Sequence, residues 1–374
     1  MLTILACSNP APEHLKQGDA YLQEEQWDEA IAEYGKAIEL DPKLAVAYSN
    51  RGYAYCHKGQ WSLAIADLDK AIELEPKLAE AYGSRGWAYS AIGQWDLAIA
   101  DLNKAIELNP NLAEAYYFRA VAHGNKGEWD KAIADLNKSI ELEPNSAEAY
   151  QNRGYVYTEK EQWDEAIADL SKAIQLNPNL AVAYFNRGSA YIAQGEWSLA
   201  IADLNKAIEL APNHPAVYKN MAEAYANRGL DYGTKGQWEP AIADLNKAIE
   251  LDPNLTWAYF NRGTVYNAQG KWDLAVADLN KTIEQMPDYT QAYNNRAYAF
   301  IRMGQLDEAI ADLSKAIELE PNYARAYYNR ALVYFNTGKA DLAIADFNKV
   351  IAISDDNDLI EAVKERISEI QRRK

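Results

Sequence analysis

The 374-residue sequence has only two cysteines, Cys7 and Cys56, and four histidines. It has no apolar run near the roughly 20 residues that a membrane-crossing helix needs. Two cysteines this far apart give neither a disulfide framework nor a thiolate metal site. The histidines, His14, His57, His123 and His214, lack metal-ligand spacing. No glycine-rich loop is placed to cradle phosphate. Basic residues are outnumbered, 37 Lys and Arg against 55 Asp and Glu, for a net charge of −18. A nucleic-acid partner needs a basic face, and this balance argues against one. No catalytic constellation, metal or cofactor site is legible, and the chain is read as non-catalytic.

What is present is repetition. Apolar residues make up 49% and charged residues 25%, a composition that folds. Self-comparison shows a period of 34 residues, in ten repeats starting at residues 11, 45, 79, 113, 147, 181, 215, 256, 290 and 324. The seventh, 215–255, is seven residues longer than the rest. Numbering each repeat from its first residue, and the seventh from Ala222, position 20 is always Ala, from Ala30 to Ala343, and position 8 is always Gly or Ala. Small residues at both places allow two helices to approach closely. Position 15 is Gly in eight repeats, suited to the left-handed turn that closes a first helix, A. Position 17 is Trp in eight, opening a second helix, B, and Pro at position 32 in nine ends it. Each repeat thus reads as an antiparallel helix pair that cannot bury its apolar face alone and must stack on its neighbours.

This pattern over residues 11–357 resembles the tetratricopeptide repeat (TPR) family. The resemblance implies an all-α fold, a right-handed α-solenoid of about ten helix pairs whose A helices line a concave groove. It also implies protein or peptide binding rather than chemistry. The expected organisation is an N-terminal segment (1–10), repeats one to six (11–214), an extended seventh repeat (215–255), repeats eight to ten (256–357) and a C-terminal capping helix (358–374). On that last helix Leu359, Ile360, Val363, Ile367 and Ile370 share one face.

Strings such as "AYFNRGSAY" (183–191) place Asn186 and Arg187 side by side. Successive residues of a helix differ by about 100° in direction, so positions 6 and 7 face different ways. Position 7 is Arg in nine repeats, on the arc with the tyrosines of positions 4 and 11. Position 23 of helix B is Asp in the same nine. In the first repeat Gln17 and Glu33 replace both together. A ladder of Arg–Asp pairs is expected, with the arginine stems packed on the tyrosines.

Position 6 is Asn in seven repeats, and Asn152, Asn186, Asn227, Asn261, Asn295 and Asn329 form an unbroken series. An amide that both donates and accepts can grip the main chain of an extended peptide; a polar residue on a solvated face gives the same pattern. The series is similar to the asparagine ladder in the TPR region of O-linked N-acetylglucosamine transferases. Aromatic residues on the same face are further candidates for the groove: Tyr155, Phe185, Trp257, Phe260, Tyr298 and Tyr328, with Tyr53, Trp87 and Phe118 earlier in the chain. Glu80, Glu114 and Glu148 occupy position 2 of three successive repeats and favour a basic partner segment. The carboxylate clamp of chaperone-binding TPRs needs basic groove residues, and only Arg325 fits.

The extra segment "PAVYKNM" (215–221) allows two registers two helical turns apart. It lengthens helix A by about 10 Å. It reads as a docking spur, as a kink dividing the array, or as a neutral insertion. At the N-terminus, "ILAC" (4–7) resembles the end of a bacterial lipoprotein signal, which makes Cys7 a candidate lipidation site. The sequence has no basic leader before it and only a short apolar segment. Either the true start lies upstream, giving an envelope-anchored protein, or the likeness is accidental and the protein is cytoplasmic. Membrane contact is expected only if Cys7 is lipidated.

Overall fold

The computed structural model describes residues 10–373, so the proposed lipidation site at Cys7 lies outside the described residues. The described residues form helices joined by short turns, with no strand among them. They divide into two compact units at Ala190/Tyr191.

The first unit holds repeats one to five and most of the sixth helix A. Its pattern is set by the third repeat, with helix A at Ala79–Ala91 and helix B at Trp95–Leu108. Gly93 lies between them at φ +76°. The same left-handed turn recurs at Gly59 and Gly127, but Glu25 and Glu161 occupy it in the first and fifth repeats at φ +58° and +57°. Helix B ends on an extended residue, and where that residue is Asp or Asn its side chain accepts the N–H two residues on, as in Asn111 N to Asn109 Oδ1 (3.1 Å). Within the pair, Gly86 lies under Leu102: a Cβ built there would meet Leu102 Cγ at 2.5 Å. Ala98, Leu102 and Ala105 are buried against Ala115 and Ala122 of the next helix A, so each layer completes the core of its neighbour.

The second unit repeats this pattern from residue 191 onward. Its last helix, Asn357–Arg373, buries Val363 and Ile370 against Phe347 and Val350, covering the apolar face that the tenth repeat would otherwise expose.

The seventh repeat differs. Its helix A, Pro215–Thr234, is 20 residues long. Arg228 chelates Asp244 of its own helix B, sixteen residues on, as position 7 does elsewhere. Toward the preceding helix B (Trp197–Leu210) the same arginine donates to Ser198, thirty residues back (3.2 Å). That thirty-residue link belongs elsewhere to position 14, as in Lys126–Asp96. The helix therefore uses both registers at once, one toward each neighbour. Seven residues are nearly two full turns, which makes this geometrically cheap. Of the extra turns, Val217 and Met221 are buried while Pro215, Ala216 and Lys219 are exposed. The stack steps by about 10 Å along the helix axis.

Candidate functional site: the inner face of the A helices

The arginine ladder fixes which way each A helix turns. In the eight repeats whose two partners share a compact unit, Nε and Nη2 of the arginine both donate to the aspartate of position 23, at 2.6–2.9 Å. Tyrosine rings of positions 4 and 11 flank the guanidinium, for example Tyr82 and Tyr89 about Arg85 at 5.6 and 5.9 Å. The paired carboxylate pushes the arginine pKa above its ordinary value, against the opposing effect of burial.

A third bond was not foreseen. Nη1 reaches back to position 25 of the preceding helix B: Arg85 to Asp69, Arg119 to Asn103, Arg153 to Asn137, Arg262 to Asn246 and Arg296 to Asn280, at 2.5–2.7 Å, and Arg187 and Arg330 to Ser171 and Ser314, both at 2.9 Å. Arg85, Arg119, Arg153, Arg262, Arg296 and Arg330 thus each tie three helices together. The first repeat has no arginine; there Glu33 pairs with His14 and Lys36 rather than with Gln17.

With the arginines committed to the helix B side, the opposite arc of helix A forms the inner face. Successive A helices touch one another within each unit, whereas among the described residues no two successive B helices pack together. The A side is therefore the concave side of each unit.

In the first unit, Asn152 Nδ2 donates to Tyr117 Oη of the preceding repeat (2.7 Å), and Asn186 is buried. Tyr155 is exposed and shares a hollow with Asn152 and Trp129. Phe185 is half-buried. In the second unit, Asn227 bonds to its own helix at Glu223 O, Asn295 to Thr264 and Asn329 to Asn294. Asn261 is buried, and its Nδ2 has no partner among the described residues. Asn295, Tyr298, Tyr328 and Asn329 come together in one hollow with Arg325. Trp257 and Tyr298 are exposed, while Phe260 turns its ring onto Tyr289. Three of the six asparagine donors, on Asn152, Asn295 and Asn329, are thus occupied by neighbouring helices, and the exposed aromatic rings carry the accessible surface.

A second hollow of the first unit lies where the asparagine series is broken. Positions 5 and 6 of the second to fourth repeats are Ser49–Asn50, Gly83–Ser84 and Tyr117–Phe118. Ser49, Gly83 and Ser84 form a low floor, walled by Tyr53, Trp87 and Phe118, around a cavity of about 290 Å³. Trp87 stacks on Phe118 (centroids 4.9 Å, planes 12° apart) and meets Tyr53 edge-on at 5.9 Å. His57 continues the series, edge-on to Trp87 and stacked on Trp27 at 4.0 Å. Glu80 and Glu114 stand at the rim, and Tyr53 Oη makes a long 3.4 Å bond to Glu114. Glu114 is exposed to solvent at this rim, with the protein crowding its carboxyl on the cavity side. Burial, helped by Glu143, holds its carboxyl above the ordinary range. Burial and Glu114 push Tyr53 up to about 12. The floor was missed in the sequence because its signal is small size, not a chemical group.

The family model for the TPR repeat matches residues 18–57, 125–160, 154–195, 229–270, 263–304 and 297–338. A second, for the tetratricopeptide repeat, matches 45–78, 79–112, 181–214 and 324–357. Among solved structures, MamA is 34% identical over 43% of this chain and 94% of its own, with a TM-score of 0.37. YrrB, described as a TPR protein with an unusual peptide-binding site, is 24% identical over 51% of this chain and 95% of its own, with a TM-score of 0.40. Yeast Tom70 is 16% identical over 97% of this chain and 96% of its own, with a TM-score of 0.37. No curated protein matches the sequence.

Proposed function

The chain belongs to the tetratricopeptide repeat family, whose members serve as protein-interaction scaffolds, and from that premise we propose that it holds an extended segment of a protein partner along the inner face of its A helices. The observation that carries the reading is the exposure of large aromatic side chains there. Tyr155, Trp257 and Tyr298 are 39–42% exposed, on a face where packing alone would cover them. Asn152 and Asn329 remain candidates to contact the peptide main chain through their carbonyl oxygens, since their bonds to neighbouring helices run from Nδ2, whereas Asn295 both donates to Thr264 and accepts from Asn294. Aromatic variants test this better than asparagine ones, because losing an inter-helix bond would disturb the fold as well. A displayed library of random dodecapeptides should yield binders of the intact protein that Tyr155→Ala, Trp257→Ala or Tyr298→Ala weakens. A library that enriches nothing above background, or only peptides indifferent to all three changes, rules the groove out.

A second reading is an envelope assembly factor acting through its outer surface or by self-association, lipid-anchored if Cys7 is acylated. It draws on half-exposed leucines at position 19 of helix B, among them Leu63, Leu97, Leu199, Leu274 and Leu342. Concentration-dependent sedimentation that Leu63→Lys with Leu97→Lys abolishes would favour it.

A further inference from the structure

We propose that the hollow walled by Tyr53, Trp87 and Phe118 is a specificity pocket for a cationic side chain, lysine or arginine, of the bound segment. The proposal rests on the groove reading above and names the partner's chemistry at one place in it.

Charge complementarity carries the argument. The acids of the B helices are widely matched by lysines one turn away, as in Lys70–Glu73, Lys104–Glu107 and Lys138–Glu141. Glu80 and Glu114 differ: neither has an ion-pair partner among the described residues, and Glu143 adds a third negative charge near Glu114. Glu114 is held in surroundings that disfavour its charge, with one long hydrogen bond for support. Two exposed carboxylates with no ion-pair partner, one of them also repelled by Glu143, attract a cation to this rim. The walls suit the same guest. Aromatic faces carry negative quadrupole density that attracts ammonium and guanidinium groups, and their apolar area accepts the methylene stem. The floor leaves the depth: a Cβ added at Gly83 would lie 3.2 Å from Leu112 Cδ2, and Ser84 stands where seven repeats have Asn. A neutral apolar side chain would strand the carboxylates, and an acidic one would be repelled.

The test uses the full chain and fluorescence polarisation at physiological salt. The probes are an acetylated, amidated Gly-Ser dodecapeptide with three spaced lysines, its norleucine counterpart and its glutamate counterpart. The lysine probe should bind, and the other two should bind at least about fivefold more weakly. Glu114→Gln and Phe118→Leu should each weaken the lysine probe by about fivefold or more, while Glu107→Gln, which removes the same charge from helix B, should leave it unchanged. Equal losses in Glu114→Gln and Glu107→Gln would reduce the effect to diffuse attraction by an acidic protein and overturn the pocket. Norleucine binding as tightly as lysine would overturn it too. Thermal melts of each variant separate loss of the pocket from loss of the fold. If library peptides bind through Tyr155, Trp257 or Tyr298 with no basic residue selected, the pocket fails while the groove stands. If nothing binds at all, both fail.

Discussion

Arg262 chelates Asp278 through two hydrogen bonds of 2.7 Å, and both side chains are largely buried between the two helices of the eighth repeat. The same arginine reaches Asn246 of the preceding repeat, so a single side chain binds a layer together and to its neighbour. Asp278→Ala strands a buried guanidinium and should cost about 3–5 kcal/mol, whereas Arg262→Met with Asp278→Leu, which removes both charges, should be near neutral. Urea unfolding of the two variants gives the comparison. A mild single variant and a ruinous double would mean that the ladder is not the clamp described. Asn246→Ala should cost less, about 1 kcal/mol, because one hydrogen bond of three is lost.

Glu25 and Glu161 take the left-handed turn that glycine fills in eight other repeats. A side chain with a Cβ is strained there, by roughly 1 kcal/mol or more. Glu25→Gly and Glu161→Gly should each stabilise the protein by about 1 kcal/mol, less the entropy that glycine adds to the unfolded chain. Thermal melts decide: destabilisation in both would contradict the strain assigned to these turns.

How much of this was legible in the sequence depends on distance along the chain. Position 20 alanine, position 15 glycine and the Arg–Asp pair recur at fixed spacing inside one repeat, so the helix pair and its ladder follow from periodicity. Position 25 is Gly35 in the first repeat and Asp, Asn or Ser in the others, as Asp69, Asn103 and Ser171 illustrate, and looks like ordinary solvated surface. Its role depends on the offset between neighbouring repeats, which no single repeat encodes. The same offset decides that Asn152 meets Tyr117 and Asn329 meets Asn294 rather than an incoming peptide. The direction of position 6 could be read from helical geometry; what stands opposite it could not. The aromatic hollow was half legible. Tyr53, Trp87 and Phe118 announce themselves, but Ser49, Gly83 and Ser84 matter through missing volume.

Deleting residues 215–221 joins His214 to Ala222 and restores an ordinary 34-residue repeat. Arg228 would then take the usual position toward both neighbours, exchanging Ser198 for Asn205. The deletion should fold with a melting temperature close to that of the parent, because Ala224 and Ala226 replace Val217 and other residues at equivalent packing places. A crystal structure of the variant would show the Arg228–Asn205 contact. An unfolded or aggregated product would mean that the step in the stack is required by the repeats around it, not merely tolerated.

Glu114 links binding to stability in opposite directions. Its carboxyl is held above the ordinary range, first by burial and then by Glu143, with the Tyr53 hydroxyl pulling slightly the other way. The groups facing it are therefore Tyr53, Glu143 and, across the rim, Glu80. A carboxyl whose pKa is higher folded than unfolded binds its proton more tightly in the native state. Its contribution to stability is fully present below the unfolded pKa and is lost as pH rises through the folded one. At pH 7 the charged form is a net cost, and Glu114→Gln removes that cost. The variant should therefore melt at a higher temperature than the parent at pH 7, with the difference shrinking as pH falls toward 4. In the same variant the lysine probe should bind more weakly at pH 7. In the parent its binding should fade on acidification, starting above the pH at which a free glutamate protonates. A variant that is both less stable and weaker in binding would make Glu114 a structural residue, and the pocket would lose its ligand.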